Sequence, residues 1–240
     1  MNQIEVNIAG PCSNFKTETA QGVAEYLGQN GVPTVWYSRG SFFRYVTEML
    51  QERGIEPESL SQANLDDVIG TIYTTVIDGE LRPLTPKDTP INHSFENGDI
   101  ASLYATREIF QEGMRNFLNS IKEKYSNYKV FIEEGREPAD EDGLTFVLTT
   151  NLQTSVDIKR IEYEKETKDL SNGQIQQAIS TRNRRDKGLF TVLFQRKNVY
   201  YIPRRDASEK NHKKIVETIG RIVIMKDEGE QLPQHGIIFP

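Results

Sequence analysis

One stretch near the amino terminus constrains the fold more than any other: "IEVNIAGPCSNFKTET", Ile4 through Thr19. "EVNIAG" alternates and then stops at Gly10, the pattern of a short buried strand ending in a turn. From Lys16 to Gly28, Ala20, Val23, Ala24 and Leu27 fall at helical spacing, with Gly28 and Gly31 as stops. "PTVWYS" then reads as a second strand and "FFRYVTEMLQERG" as a second helix. Strand, glycine turn, helix, strand is how an α/β unit with a parallel sheet begins.

The turn itself carries chemistry. A phosphate loop reads G-x-x-x-x-G-K-[ST] between a strand and a helix. Here Gly10 is followed by Pro11 to Asn14, then Phe15 where the second glycine would stand, then Lys16 and Thr17. In such a loop Lys16 reaches the β- and γ-phosphates and the Thr17 hydroxyl holds magnesium. The amides that open a helix cradle an anion whatever the side chains. Ser13 is a small polar neighbour that can still border an anion. Phe15 is the objection: it forces a different turn or stores about 1–3 kcal/mol of strain, and its ring needs a place to go. By itself the loop fits two readings, a phosphate site and an ordinary helix start. Cys12 has no base beside it in sequence, which argues against a nucleophilic role.

Downstream, "DDVIGTIYTTVIDGELRPL" is rich in β-branched and aromatic residues, with Asp78-Gly79 as a tight turn. It reads as a small antiparallel insertion over roughly residues 65–92. "ATREIFQEGMRNFLNSIKEKY" reads as one long amphipathic helix. "YKVFIEEGREPA" and "GLTFVLTT" read as strands, "NLQTSVDIKRIEYEKE" as a polar helix, and "NGQIQQAISTRNRRDKG" as a helix ending in a dense basic patch. "KNVYYIP" is a last strand and "SEKNHKKIVETIGRIVIM" a last helix, with Ile215, Ile219 and Ile222 on one side. The expectation is five strands with helices between them.

Composition narrows the class. Net charge is −6, which argues against broad nucleic-acid binding but leaves room for a local basic pocket. The single cysteine permits neither an internal disulfide nor a cysteine metal cluster. His93, His212 and His235 are scattered. A strand pattern within a few residues of Met1 leaves no room for a signal peptide, and no apolar run approaches a membrane span. A cytoplasmic protein without a membrane partner is expected.

Taken in order, these stretches resemble the cytidylate kinase family of nucleoside monophosphate kinases. The family's G-P-x-G-x-G-K-[GST]-T is similar to "GPCSNFKTET" from Gly10, and its D-[ST]-G-x-x-Y-R to "SRGSFFR", with Gly40, Phe43 for tyrosine, and Arg44. Its D-G-R-D strand end resembles "EEGRE", with Arg136 and Glu137. Its lid motif R-D-x-R-D resembles "RNRRD", with Arg182, Arg185 and Asp186. The likeness covers nearly the whole chain. It implies a P-loop three-layer α/β fold with a five-stranded parallel sheet, a small antiparallel insertion and a helical lid. It also implies a core of residues 1–37, 96–170 and 190–240, an acceptor-binding region at 38–95 and a lid at 171–189.

The activity implied is transfer of the ATP γ-phosphoryl group to a pyrimidine nucleoside monophosphate, (d)CMP first, by a monomer using ATP and Mg2+. Gly10, Ser13, Asn14, Phe15, Lys16 and Thr17 would bind ATP, with Thr17 on the metal. Arg39, Gly40, Arg44, Arg136, Glu137 and one of Arg107 or Arg115 would hold the acceptor. Lys16, Arg136, Arg182, Arg185 and Asp186 would serve the transfer. Each arginine also has a plainer reading: a solvated helix end for Arg182 and Arg185, a loop tie to Glu133 or Glu137 for Arg136, an apolar cover for Arg44.

Several positions depart from the family. Besides Phe15 and Ser13, Ser38-Arg39 stand where it has Asp and Ser or Thr, and Asn92 and Leu189 stand where it has arginines. Losing two acceptor-phosphate arginines would weaken a nucleoside monophosphate unless Arg39 or His93 compensates. Two other classes therefore remain: a catalytically weak or inactive regulatory protein that binds nucleotide, and a nucleic-acid-binding module using "TRNRRDK".

Overall fold

The structure is a computed structural model, which describes residues 3–11, 14–84, 95–135, 142–165, 171–193 and 198–240. The chain forms an α/β three-layer fold with a mixed parallel and antiparallel sheet. It divides into two compact units, one of Met1–Trp36 with Lys129–Pro240 and one of Tyr37–Tyr128.

In the first unit, β1 (Ile4–Ala9) runs into α1 (Lys16–Gln29), and β2 (Thr34–Ser38) leads the chain out. The chain returns in β5 (Val130–Glu134), β6 (Leu144–Thr149), α6 (Leu152–Lys165), α7 (Asn172–Leu193), β7 (Val199–Pro203), α8 (Glu209–Asp227) and β8 (Gly236–Ile237). β5, β1, β6, β7 and β8 lie side by side in that order, every pair parallel. Val6 faces Ile132 on one side and Leu144 on the other, which fixes the register.

Parallel strands are buried on both faces, and "TFVL" in β6 is accordingly near-continuous apolar. On one face Ile4, Val6 and Ile8 join Val130, Ile132, Phe146 and Ile202. Over them lie Ala20, Val23 and Leu27 of α1 and Ile215, Ile219 and Val223 of α8. Each fully buried Val, Leu or Ile here contributes about 1.5–3 kcal/mol. This layer seats α1 on β1 and brings α8 against α1.

The second unit contains α2 (Arg39–Glu52), α3 (Gln62–Ile69), β3 (Tyr73–Ile77), β4 (Glu80–Leu84), α4 (Phe95–Tyr104) and α5 (Glu108–Lys124). Its buried residues include Phe42, Val46 and Leu50 of α2, Leu65 and Val68 of α3, and Phe110, Met114 and Leu118 of α5. The hairpin closes as its sequence requires, with Asp78 at φ 50° and Gly79 at φ 77°.

Three expectations need correction. The sheet has eight strands, not five: among the additions is β8, which pairs parallel with β7, Tyr200 with Gly236, from a tail with only a weak apolar pattern. Asp66 to Ile69 are helical, because Ser61 caps α3 and outweighs the β-branched side chains that follow. And α7 continues to Leu193, so the basic run sits inside the helix and not at its carboxyl end.

Candidate phosphate-binding site

The loop between β1 and α1 is held from both sides. Gly10 has φ +143°, and a Cβ there would lie 2.3 Å from Asn14 Nδ2 and 2.4 Å from the Leu148 carbonyl oxygen. Only a glycine permits that approach. Asn14 uses it: its side chain is buried, and Nδ2 donates to the Leu148 oxygen at 2.9 Å, tying the loop to the carboxyl end of β6. Asn14 Oδ1 accepts from Lys16 Nζ at 3.3 Å, and Nζ also donates to the Pro11 oxygen at 2.8 Å. The ammonium group is thus folded over the loop that carries it.

Phe15 answers the question its sequence raises. It has φ 56° and ψ 39°, the left-handed conformation that glycine adopts without strain. The turn is kept and the strain accepted. The ring is engaged by two residues from the other end of the chain. Arg204 Cζ lies 5.1 Å from the ring centroid, and the His212 ring packs edge-on at 6.2 Å. A cation on an aromatic face contributes about 2 kcal/mol when desolvated, comparable to the roughly 1–3 kcal/mol of a non-glycine residue held left-handed. Arg204 is 2% exposed.

The start of α1, like that of α5, lacks a side-chain cap, although the Thr19 amide donates to the Phe15 oxygen at 2.9 Å. By contrast Ser38, Ser61 and Ser208 accept from the amides of Ser41, Asn64 and Asn211 at the starts of α2, α3 and α8. The first amides of a helix lack intrahelical partners and carry the positive end of its dipole. Uncapped amides beside a lysine are suited to an anion. Thr17 is exposed in the first turn, one hydroxyl available to a metal that keeps water and phosphate as its other ligands. The residues present therefore fit a nucleotide phosphate with Mg2+. Among the described residues no group of three or more His, Cys, Asp or Glu side chains converges for a metal.

Arg204 and His212 were not singled out by sequence reasoning. Arg204 directly follows β7, and a basic residue at the carboxyl end of a parallel strand was signal enough, the same one that marks Arg136. The Arg204 amide donates to the Thr149 oxygen at 2.8 Å. Its Nη2 lies 3.4 Å from Thr19 Oγ1 and 3.0 Å from His212 Nδ1. A guanidinium only donates, so His212 Nδ1 accepts and the imidazole is neutral. Burial pulls the Arg204 pKa down to about 10, with Glu18 and Asp206 acting in the other direction. It remains charged.

The other sequence-chosen residues are placed as follows. Lys16, Thr17, Gly10, Asn14 and Phe15 share this loop. Ser13, Arg136 and Glu137 lie outside the described residues, as do Cys12 and His93. Arg182, Arg185 and Asp186 lie in α7. In the second unit Arg39, Gly40 and Arg44 occupy the first turns of α2. Arg39 Cζ lies 5.3 Å from the Phe43 ring centroid, and Arg44 Nη2 donates to Ser41 Oγ at 3.2 Å. Arg107 precedes α5 and Arg115 lies on it, both exposed.

No protein-family profile matches the chain. It is 25% identical to a cytidylate kinase of Thermotoga sp. (strain RQ2) over 187 residues, 76% of this chain and 80% of that protein. It is 26% identical to the cytidylate kinase of Thermotoga neapolitana over the same length and shares. Among solved structures, a shikimate kinase from Bacteroides thetaiotaomicron superposes with a TM-score of 0.44 and 12% identity over 92% of this chain and 98% of that one. A plasmid partition protein from Borrelia burgdorferi gives 0.41 and 15% over 94% and 100%. The loop geometry and the sequence similarity to two kinases make this chain a member of the P-loop NTPase superfamily, of kinase-like type.

Proposed function

We propose that the protein transfers the γ-phosphoryl group of ATP to the phosphate of a pyrimidine nucleoside monophosphate, CMP or dCMP. The observation that carries this reading is Phe15 in the left-handed conformation, its ring engaged by Arg204 and His212 while Lys16 lies across the loop. An aromatic residue at this position is compatible with a phosphate cradle. The similarity to two cytidylate kinases supports the choice of acceptor.

In this mechanism an oxygen of the acceptor phosphate attacks the γ-phosphorus, the bond to the β-phosphate oxygen breaks, and ADP leaves with those electrons. The acceptor phosphate is already anionic, so no general base is required. Lys16 exchanges Pro11 and Asn14 for the β/γ-phosphates, and the α1 amides bind oxygens of the same group. Bound Mg2+ supplies charge neutralisation at the phosphates, and Thr17 is the ligand this chain offers it. Arg39, Arg44, Arg136 and Glu137 hold the acceptor, while Arg182 and Arg185, three apart in α7, neutralise the transferring group and Asp186 orients one of them. Catalysis is then positioning and charge, with no covalent intermediate.

Titration calorimetry with ATP in the presence and absence of Mg2+, followed by a screen of common ribo- and deoxynucleoside monophosphates, tests the reading. Saturable Mg2+-dependent binding and turnover of CMP or dCMP are expected. Binding with no turnover of any acceptor would favour a regulatory nucleotide-binding protein; absence of ATP binding would remove both.

A further inference from the structure

We propose that Arg204 is a positioning residue for the phosphate loop, standing in for the glycine that the loop lacks by clamping Phe15 in its left-handed turn. Its bearing on ligand affinity rests on the phosphotransfer reading; the clamp itself does not.

Arg204 meets Phe15 at both ends. Its guanidinium lies against the ring, 5.1 Å from Cζ to the centroid. Its Nη2 approaches Thr19 Oγ1 at 3.4 Å, and that hydroxyl donates to the Phe15 carbonyl oxygen at 2.6 Å. Ring and carbonyl together fix the rotation about the Phe15 backbone, which decides where Lys16 and the first amides of α1 point. The anchor is itself fixed, by its amide on the Thr149 oxygen and by Nη2 on His212 Nδ1 at 3.0 Å.

Arg204 forms no ion pair within salt-bridge distance among the described residues, although Glu18 and Asp206 both favour its charge. It is 2% exposed, and its Nε and Nη1 have no hydrogen-bond partner among the described residues. Asp206 Oδ1 accepts from the Ser208 amide at 2.8 Å. A buried cation with unmet donors is costly and is poor value for stability alone. What its flat face does satisfy is the aromatic face of Phe15. A glycine at this position would hold φ > 0 unaided and leave Arg204 without that task.

The test is a four-protein cycle of wild type, Arg204→Gln, Phe15→Gly and the double variant. Ligand-free hydrogen exchange of the Thr19–Val23 amides and MgATP affinity by calorimetry are read in each. In the Phe15 background R204Q is expected to speed exchange by ~10-fold and weaken MgATP by ~10-fold. In the F15G background both changes should shrink to within about twofold. Equal losses in both backgrounds would mean that Arg204 contacts the ligand or merely supports the fold, and no change with R204Q would mean that it does not clamp; either overturns the proposal. Should R204Q fail to fold, Arg204→Lys replaces it: its ammonium cannot lie flat on the ring, and the same pattern is expected at about threefold. If the wild type binds no MgATP, the phosphotransfer reading falls while the exchange cycle still decides the clamp.

Discussion

Two of the helices that follow strands of the sheet in this protein begin in different ways. At the end of β2 the chain turns directly into α2: Ser38 is the last strand residue and also the cap, its Oγ accepting from the Ser41 amide at 3.3 Å. At the end of β1 the chain detours from Gly10 to Phe15, and α1 begins with no side-chain cap behind a strained aromatic residue. The first junction caps one of its own amides. The second has no side-chain cap and sets Lys16 beside the helix start. Of the two, only the second pairs an uncapped helix start with a lysine, an arrangement that suits an anion.

The largest effect expected from attacking this contrast comes from Lys16→Ala. It removes the only ammonium that reaches Pro11 and Asn14 among the described contacts and should weaken MgATP by at least ~100-fold, about 3 kcal/mol. Calorimetry of the variant against wild type measures it; affinity within tenfold would show that the loop does not carry the phosphates. Next is Gly10→Ala. Its Cβ would strike the Leu148 carbonyl, which is backbone and cannot step aside, so Asn14 loses its seat. A loss on the order of 3 kcal/mol in urea unfolding is expected, with weaker MgATP binding beside it. Unchanged stability would mean that the tie between loop and β6 has little consequence.

The β1–loop–α1 unit, β6, β7, α8 and the Asp78-Gly79 hairpin were legible because period and punctuation agree there. The α3 start was misread because "VIGTIYTTVI" looks uniformly β-forming, while the deciding feature, the Ser61 cap, lies upstream of it. β8 was missed because a two-residue strand has no period to detect. The extent of α7 was missed because a basic patch followed by glycine resembles a helix end, yet the helix passes through Gly188. In the site, Gly10, Lys16 and Thr17 announce themselves by spacing. The fate of the Phe15 ring could not be read locally, since Arg204 and His212 reach it only through the packing of β7 and α8 against α1.

A capped helix should respond differently from α1. Ser61→Ala removes the acceptor for the Asn64 amide at the start of α3 and is expected to cost about 1 kcal/mol of stability. MgATP affinity should stay within twofold of wild type. A matching loss of affinity would mean that helix starts in this protein are coupled through global stability, and the contrast with α1 would lose its meaning.

The smallest effect belongs to His212, and its sign follows from the geometry. Nδ1 accepts from Arg204, so the folded protein requires the neutral ring. Burial first, and then the positive charge of Arg204, hold its pKa below the ordinary histidine value, while Glu209 on α8 acts the other way. Around it, Arg204 faces it from the segment after β7, Glu18 and Asp206 act on Arg204, and α1 presents Gly22 near Nε2. As pH falls, the unfolded chain takes up this proton first, so the stability that His212 contributes is present above the ordinary histidine pKa. It is lost on descent through that value to the lower folded one. Urea midpoints from about pH 7.5 to 5 should therefore fall more steeply in wild type than in His212→Gln, whose amide can still accept from Arg204 but does not titrate. Protonation sets a second cation against Arg204, and MgATP affinity should decline over the same interval in wild type alone. Parallel curves for the two proteins would place the charge on His212 outside the network that holds Phe15.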